Sequence, residues 1–469
     1  MPVVIIGVFW MLFAIAAITP MRVSVILLFA SVPFGATTVV PGSTTILPYV
    51  AMSPLVIAKV FLSARNPTVL WDGLLNWRRL GFLTAFVVAA LIITYTAPFI
   101  FPHARTLGLN SLRPEMLHFG SGNITQPLYL TISFLLCTAF YILLLSPQGR
   151  STLATAILVG ATIAILSGLI DIVAGKTPLL SLVRTANYSI IEGAEVGNLR
   201  RVIGFNSEAS AFGALVVSFG GILLFMSPAL WRGGKALLIQ QVLVVALIVM
   251  TILSTSSSAY LGLVMLIILF ILRLALKVIA PRSGPDRRAA TYGILAMLLI
   301  LPLAGTFLIS QPALVDRAAT MIDDTLLKKG SSDSANERAS WNRISLQGFT
   351  DTGGYGVGVG STRTSSWVVA VLSSTGLLGA GLLLAFLARG FLAYLPRTDH
   401  GVHNAGIGAR YAFVVVLIPA AVAGSLVDFG VFNALMFATM AAAPKILTTA
   451  AAARPRMGRR PMRAPAVTG

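Results

Sequence analysis

The stretch Ala236-Leu-Leu-Ile-Gln-Gln-Val-Leu-Val-Val-Ala-Leu-Ile-Val-Met-Thr-Ile-Leu-Ser254 carries no charged side chain, and its reading decides the fold. A helix that crosses a hydrocarbon core of about 30 Å needs about 20 mostly apolar residues. Comparable runs recur near 3–19, 22–40, 46–63, 80–101, 127–146, 151–174, 207–227, 259–280, 291–309, 364–388, 409–427 and 429–449. Together they predict an all-α, polytopic integral membrane protein with about 12–13 transmembrane helices and one long outer loop. Pro20, Pro41 and Pro48 interrupt the first three runs. Two of these three can therefore form a single broken or re-entrant element.

Composition agrees. Of 469 residues, 57% are apolar and 10% charged, against roughly 25% charged in soluble domains; the mean hydropathy is +0.89. The formal net charge of +19 is not read as nucleic-acid binding, which needs a basic stripe on a soluble domain. The single cysteine, Cys137, excludes an intramolecular disulfide and a cysteine-based metal site. The N-terminal run has no basic n-region and no cleavage signal, so it reads as a retained helix. No internal repeat relates the two halves.

Orientation follows the Lys and Arg of short loops. Lys59, Arg65, Arg78 and Arg79 mark one cytoplasmic loop, and Arg273, Lys277, Arg282, Arg287 and Arg288 mark another. The tail residues Arg454, Arg456, Arg459, Arg460 and Arg463 mark a third, and alternating the spans puts all three on one side. The inner side then holds about 22 Lys and Arg against about 3 acids, and the outer side about 12 of each, so the excess charge is an orientation signal. The organisation predicted is a transmembrane bundle over 1–309, an outer loop subdomain over 310–363, C-terminal helices over 364–449 and a disordered basic tail over 450–469. That tail would lie along anionic headgroups.

Ionisable residues deep in a span are usually functional, and almost none occur here. Asp171 and Asp428, near outer helix ends, read as solvated or paired structural acids. A coupled transporter would show midplane charges or broken helices, a pattern the sequence does not display.

Polar chemistry concentrates on the outer face. Asn198-Leu-Arg-Arg-Val-Ile-Gly-Phe-Asn-Ser-Glu-Ala-Ser-Ala-Phe-Gly213 runs directly into an apolar helix. A helix N-terminus has free N–H groups and partial positive charge, so Arg200 and Arg201 just before it predict an anion pocket. Glu208 has a plainer reading as a capping acid that offsets the dipole, and the arginines a plainer one as paired or topological residues. Further on stands Glu337-Arg-Ala-Ser-Trp-Asn-Arg-Ile-Ser-Leu-Gln-Gly348, followed by Gly353-Gly-Tyr-Gly-Val-Gly-Val-Gly-Ser-Thr-Arg363. If 334–347 is helical, Arg338 and Trp341 share a face while Arg343 points elsewhere. An aromatic ring beside guanidinium forks suits a sugar joined to a phosphate. The glycine-rich stretch is expected either to be a simple loop or to offer backbone N–H groups to phosphate as a nest. Arg200, Arg201, Arg338, Arg343 and Arg363 thus form an outer cluster suited to a lipid-linked pyrophosphate.

At these residues the chain resembles the O-antigen ligase and polymerase superfamily of bacterial inner-membrane glycosyltransferases. The likeness rests on the Arg-x-x-Gly-Phe-Asn-x-Glu-x-Ser stretch from Arg201 to Ser210 and on Arg-x-x-Trp-x-x-Ser from Arg338 to Ser345. It continues in Gly356-Val-Gly-Val-Gly and in Ser374-Thr-Gly-Leu-Leu-Gly379. These pieces lie in the expected order over about the C-terminal two-thirds. The resemblance implies a multi-pass inner-membrane enzyme whose active site faces the periplasm. It would transfer a saccharide from an undecaprenyl-diphosphate donor to a glycan hydroxyl, with neither metal nor other cofactor. Arg200 or Arg201, Arg338 and Arg343 would hold the pyrophosphate, with Trp341 and Arg363 beside them. Ligases of the superfamily resemble one another in a histidine near the end of the long periplasmic loop, where this chain has Arg363 instead. The general base is then read as Glu208, with Glu337 next, and the reading moves from ligase toward surface-polysaccharide polymerase. His103 and His118 lie in the first outer loop, and His400 and His403 fall inside.

The alternatives are an O-antigen ligase acting on lipid A core and, from another class, a transporter or flippase of lipid-linked saccharide. A flippase would line a central cavity with cations rather than crowd them at one surface. Metal-dependent lipid-sugar transferases resemble each other in an acidic pair in the first outer loop, absent here; Asp323-Asp324 reads as a solvated pair. The implied partners are the donor lipid, the acceptor glycan, membrane lipids and a chain-length regulator, with no nucleic acid.

Overall fold

A computed structural model describes residues 2–279 and 333–453, apart from 43–44, 65–66, 110–112, 176, 178, 189, 192–194, 197–198 and 232–234. The predicted span at 291–309, Arg65, Arg282, Arg287, Arg288, Asp323, Asp324 and the tail beyond 453 lie outside these residues.

The chain folds into a helical membrane bundle. The helices in order are α1 Pro2–Ile18, α2 Met21–Ser31, α3 Pro48–Ser63, α4 Pro67–Leu75, α5 Gly81–Ile100, α6 Gly122–Leu144, α7 Pro147–Ala174 and α8 Leu179–Val183. They continue as α9 Ala209–Gly221, α10 Lys235–Leu253, α11 Ser257–Ile279, α12 Asp333–Asp351, α13 Trp367–Leu392, α14 His400–Ala423 and α15 Gly430–Ala453. Strand content among the described residues is two short antiparallel pairs: β1 Arg105–Leu107 with β2 Pro114–Met116, and β3 Glu195–Val196 with β4 Leu199–Arg200.

Nine helices among the described residues are long and apolar enough to cross a membrane: α5, α6, α7, α9 with its π-helical extension to Met226, α10, α11, α13, α14 and α15. Three shorter apolar helices stand at the first three predicted runs. Local chemistry explains several boundaries. Ser146 caps α7, its hydroxyl accepting from Gly149 N–H at 3.0 Å, with Pro147 at the first helical position. Asp399 caps α14 by accepting from Val402 N–H at 3.0 Å. That cap starts the helix at His400, well before the predicted 409, and takes the polar His400–Asn404 stretch into it.

The run predicted at 22–40 is corrected. The helix α2 stops at Ser31: Val32 keeps helical backbone (φ −58°, ψ −40°) with its N–H turned to Phe29 O, but Pro33 has no N–H with which to continue the ladder. The following segment instead pairs with distant loops: Ala36 N–H donates to Phe205 O at 2.8 Å, Ala186 N–H to Ala36 O at 2.9 Å, and Thr37 Oγ1 to Val183 O at 2.7 Å.

Phenylalanines and small residues fill the interior. Phe29, Phe140, Phe212, Phe219, Phe225 and Phe437 are fully buried, and α15 packs along α6, α13 along α5, and α2 along α7. On the outside, Val242, Val245, Val249 and Ile252 of α10 form an exposed apolar strip for lipid contact.

The bundle has two unlike faces. The basic face gathers Arg78, Arg79, Arg150, Arg389 and Lys445, with ion pairs Lys445–Asp72 (2.6 Å) and Arg150–Asp399 (3.9 Å). The opposite face, the site face, gathers the described residues of 101–121, 175–208, 333–366 and 424–429. There Arg363 N–H donates to Leu107 O at 3.0 Å, and Thr364 Oγ1 to Ser425 O at 3.4 Å.

Candidate functional site

Two arginine groups stand on the site face. The first is built on Asp171 in the last turn of α7, which is 1% exposed. Its Oδ1 accepts from Arg184 at 2.7 Å and from Arg200 at 2.9 Å. Its Oδ2 accepts from the backbone N–H groups of Ile203 (2.7 Å) and Gly204 (3.1 Å), and Arg184 Nε donates to Gly204 O at 3.0 Å. A buried carboxylate needs this full set of donors. Asp171 is therefore paired, not solvated. Arg200, expected in an anion pocket, is instead committed to Asp171, and this is a correction to the sequence reading. Arg201 donates to Thr255 Oγ1 at 3.2 Å and to Thr255 O at 3.3 Å. Its burial lowers its proton affinity, and the nearby Glu208 charge opposes that.

Glu208 is the N-cap residue of α9, with extended backbone (φ −155°, ψ 162°), but its side chain makes no capping hydrogen bond. It accepts instead from Ser210 Oγ. The capping reading is thus overturned for its carboxylate. Neighbouring Asn206 is 5% exposed with Nδ2 unpartnered, and its Oδ1 fills the space a Cβ on Gly35 would need.

The second group is built on α12, helical over the predicted 334–347. Asn342 Oδ1 accepts from Ser365 N–H at 2.8 Å. Ser345 Oγ donates to Arg363 O at 2.9 Å and meets Thr362 Oγ1 at 2.9 Å. These bonds hold the backbone of Arg363 against α12 and β1. Its guanidinium then lies over the Trp341 ring, 4.7 Å from the centroid. The sequence paired Trp341 with Arg338, three residues away; the ring's cationic partner is Arg363, from beyond the helix. Nε of Arg363 is buried without an acceptor. Among the described residues neither Arg363, Arg338 nor Arg343 has an ion-pair partner. Arg343 lines an open depression of about 580 Å³ along α12 with Asn342 and Gln347. Glu337 is exposed at the start of that helix.

The glycine-rich stretch is not a phosphate nest. Val357 and Gly358 N–H donate to Ser373 O (2.9 Å) and Ser374 O (3.0 Å), Val359 N–H to Thr94 Oγ1 (2.8 Å), and Gly356 N–H to Thr352 Oγ1 (3.1 Å). Those carbonyls are free because α13 breaks at Gly376 (φ 63°, ψ −169°). A Cβ on Gly356 would fall 2.6 Å from Gly376 N, so only glycine permits the crossing. A broken helix is therefore present, contrary to the sequence reading, and the chain's own backbone occupies the break.

Asp428 lies in the loop between α14 and α15. It is half-buried and has no ion-pair partner among the described residues. Burial pushes its carboxyl up to about 6, and its charge reaches the hydroxyls of Tyr49 and Tyr129. The same loop is tied to the Arg363 segment through Ser425, and Gly424 packs on Trp367. Tyr49 also neighbours Tyr188, whose hydroxyl donates to Gly35 O, beside Asn206. The nearest sequence signal for Asp428 was its position at an outer helix end. His118 Nδ1 meets Met116 O at 3.0 Å, and His403 Nδ1 meets Pro396 O at 3.2 Å at the start of α14. Among the described residues no three His, Cys, Asp or Glu side chains gather to hold a metal ion.

No protein-family model matches the chain, and no curated protein matches it.

Proposed function

We propose that the protein is a bacterial surface-polysaccharide polymerase of the inner membrane, working at the periplasmic face. It transfers a saccharide from undecaprenyl diphosphate to a hydroxyl of a glycan acceptor without a metal. The observation that carries this reading is Arg363, held by its backbone with its guanidinium 4.7 Å from the Trp341 ring centroid and with no ion-pair partner among the described residues. A cation–π contact with a ring leaves the guanidinium its charge and its terminal N–H donors for an anion. Arg338 and Arg343 on α12 add charge nearby.

In the reaction, the acceptor O–H gives its proton to a carboxylate as its oxygen bonds to the anomeric carbon. The bond from that carbon to the phosphate oxygen breaks, and lipid diphosphate leaves with the electron pair. Arg363, with Arg338 and Arg343, stabilises the charge that develops there. Asp428 is the base best supported by its surroundings, since a carboxyl near 6 is ionised at neutral pH yet still a useful proton acceptor. Glu208 is the second candidate, hydrogen-bonded to Ser210 and set beside Arg201. Arg200 and Arg201 become positioning residues. A chain-length regulator is the expected protein partner.

The test is purified protein in detergent with an undecaprenyl-diphosphate repeat unit. Longer lipid-linked chains are expected. Transfer only to added lipid A core would mean a ligase, and passage of lipid-linked sugar across vesicles with no new glycosidic bond would mean a flippase; either result overturns the polymerase reading.

A further inference from the structure

The basic face holds a cavity of about 500 Å³ between α5, α13 and α15, far from both arginine groups of the site face. Arg78, Arg79 and Arg389 line it, together with an apolar wall that includes Phe82, Phe386 and Met440. Arg78 and Arg79 precede the first turn of α5, and Arg389 lies in the last turn of α13, so the three cations ring the cavity where the helices leave the apolar layer. None of the three has an ion-pair partner among the described residues, and Nε of Arg79 is buried without an acceptor. The acid whose field reaches Arg79 is Asp72, which is already engaged by Lys445 at 2.6 Å and by Asn76 Nδ2 at 2.9 Å. Beside the cavity, Trp77, Leu392 and Tyr394 are strongly exposed, the amphipathic and apolar groups that settle at a headgroup boundary.

Three guanidiniums without an ion-pair partner among the described residues, set over an apolar wall, ask for a ligand that is anionic at one end and hydrocarbon at the other. We infer that this cavity is a binding site for the phosphate headgroup of an anionic membrane lipid, with its acyl chains along the Phe82 and Phe386 wall. Basic pockets between transmembrane helices on the positive side take such headgroups, and paired arginines grip phosphate oxygens bidentately. The recognised chemistry is a phosphodiester. The lipid is favoured over free phosphate because most of the named wall is apolar. The site is independent of the proposed transferase chemistry and stands or falls without it.

The full chain, delipidated in detergent, is titrated with diphosphatidylglycerol, with phosphatidylcholine and with inorganic phosphate. Bound lipid is counted by native mass spectrometry and stability read by thermal unfolding. The wild-type protein should retain diphosphatidylglycerol and unfold at higher temperature with it, with no such gain from the neutral lipid. The Arg79→Gln/Arg389→Gln variant should retain about tenfold less, the scale of losing one or two arginine contacts near a charged headgroup. Equal retention of neutral and anionic lipid by the wild type overturns the site, and needs no variant to fold. Protection by inorganic phosphate as strong as by the lipid overturns the lipid assignment, and undiminished retention in a folded double variant overturns the arginines' role.

Discussion

The two arginine groups of the site face use the same residue type in opposite ways. Around Asp171 every strong donor has an acceptor: two guanidiniums and two backbone N–H groups close on one buried carboxylate. Around Trp341 the backbone of Arg363 is bonded to Ser345 and Leu107, while its guanidinium lies over a ring and has no ion-pair partner among the described residues. A satisfied ion cluster fixes a loop and has no capacity left for a ligand. A cation held in place without an ion-pair partner keeps its charge for a ligand. Charge alone, as counted from sequence, does not separate these cases.

The largest effect should come from breaking the satisfied cluster. Asp171→Ala strands two arginines, one of them fully buried, and should cost about 3–5 kcal/mol. It should be seen as a large fall in Tm and loss of a monodisperse detergent-extracted species; a normally stable variant would show that the cluster does not hold the 200–207 loop. Arg363→Ala should do the reverse. It removes one cation–π contact of about 0.5–2 kcal/mol, so Tm should change little while chain extension falls by about 100-fold or more. Arg363→Lys keeps the charge but not the fork, and should recover only a small part of the rate. Full activity in Arg363→Ala would return this arginine to a structural role.

A third outcome concerns Asp428. Its carboxyl is raised by burial from the ordinary 3.8 to about 6. Below the unfolded value the protonated group favours the folded state, and that contribution is lost as pH rises through about 6. Asp428→Asn should therefore unfold at a higher temperature than wild type at pH 7.5 and match it near pH 4. If Asp428 is the base, wild-type chain extension should decline as pH falls through about 6, and the variant should lose both the activity and that limb. The smallest effect should follow Asn342→Ala, which removes the acceptor for Ser365 N–H. About 1 kcal/mol of stability and a severalfold loss of rate with little change in donor affinity are expected, measured by unfolding and by initial rates.

The bundle was readable because apolar length and Lys/Arg placement act over whole spans and tolerate local error. The runs at 80–101, 127–146 and 236–254 reappear as α5, α6 and α10 within a few residues. The end of α2 was missed because its apolar composition continues past Ser31, whereas the backbone there is claimed by Phe205 and Ala186. The site was less legible for the same reason on a larger scale. Helical spacing placed Arg338 beside Trp341, but the ring's actual partner comes from the next segment, and no local rule reports a contact made by a returning chain. Likewise Arg184, which completes the Asp171 cluster, carried no motif. The glycine-rich stretch looked like a ligand loop because its true partners, carbonyls released by a helix break, are invisible until the break is seen.

That break sets an order of assembly. Residues 354–360 seat against Thr94 of α5, against the backbone of α6 at Gly122 and against the interrupted turn of α13, so their place exists only once helices from both ends of the described chain are side by side. Until then Ser373 and Ser374 have carbonyls without donors at a depth of about two helical turns, where lipid offers none. The C-terminal helices must therefore wait for the earlier ones before they can settle. Arg363, three residues past this seat, has its backbone bonded to Leu107 of β1 and Ser345 of α12, so its position too depends on segments far away in the chain being in place.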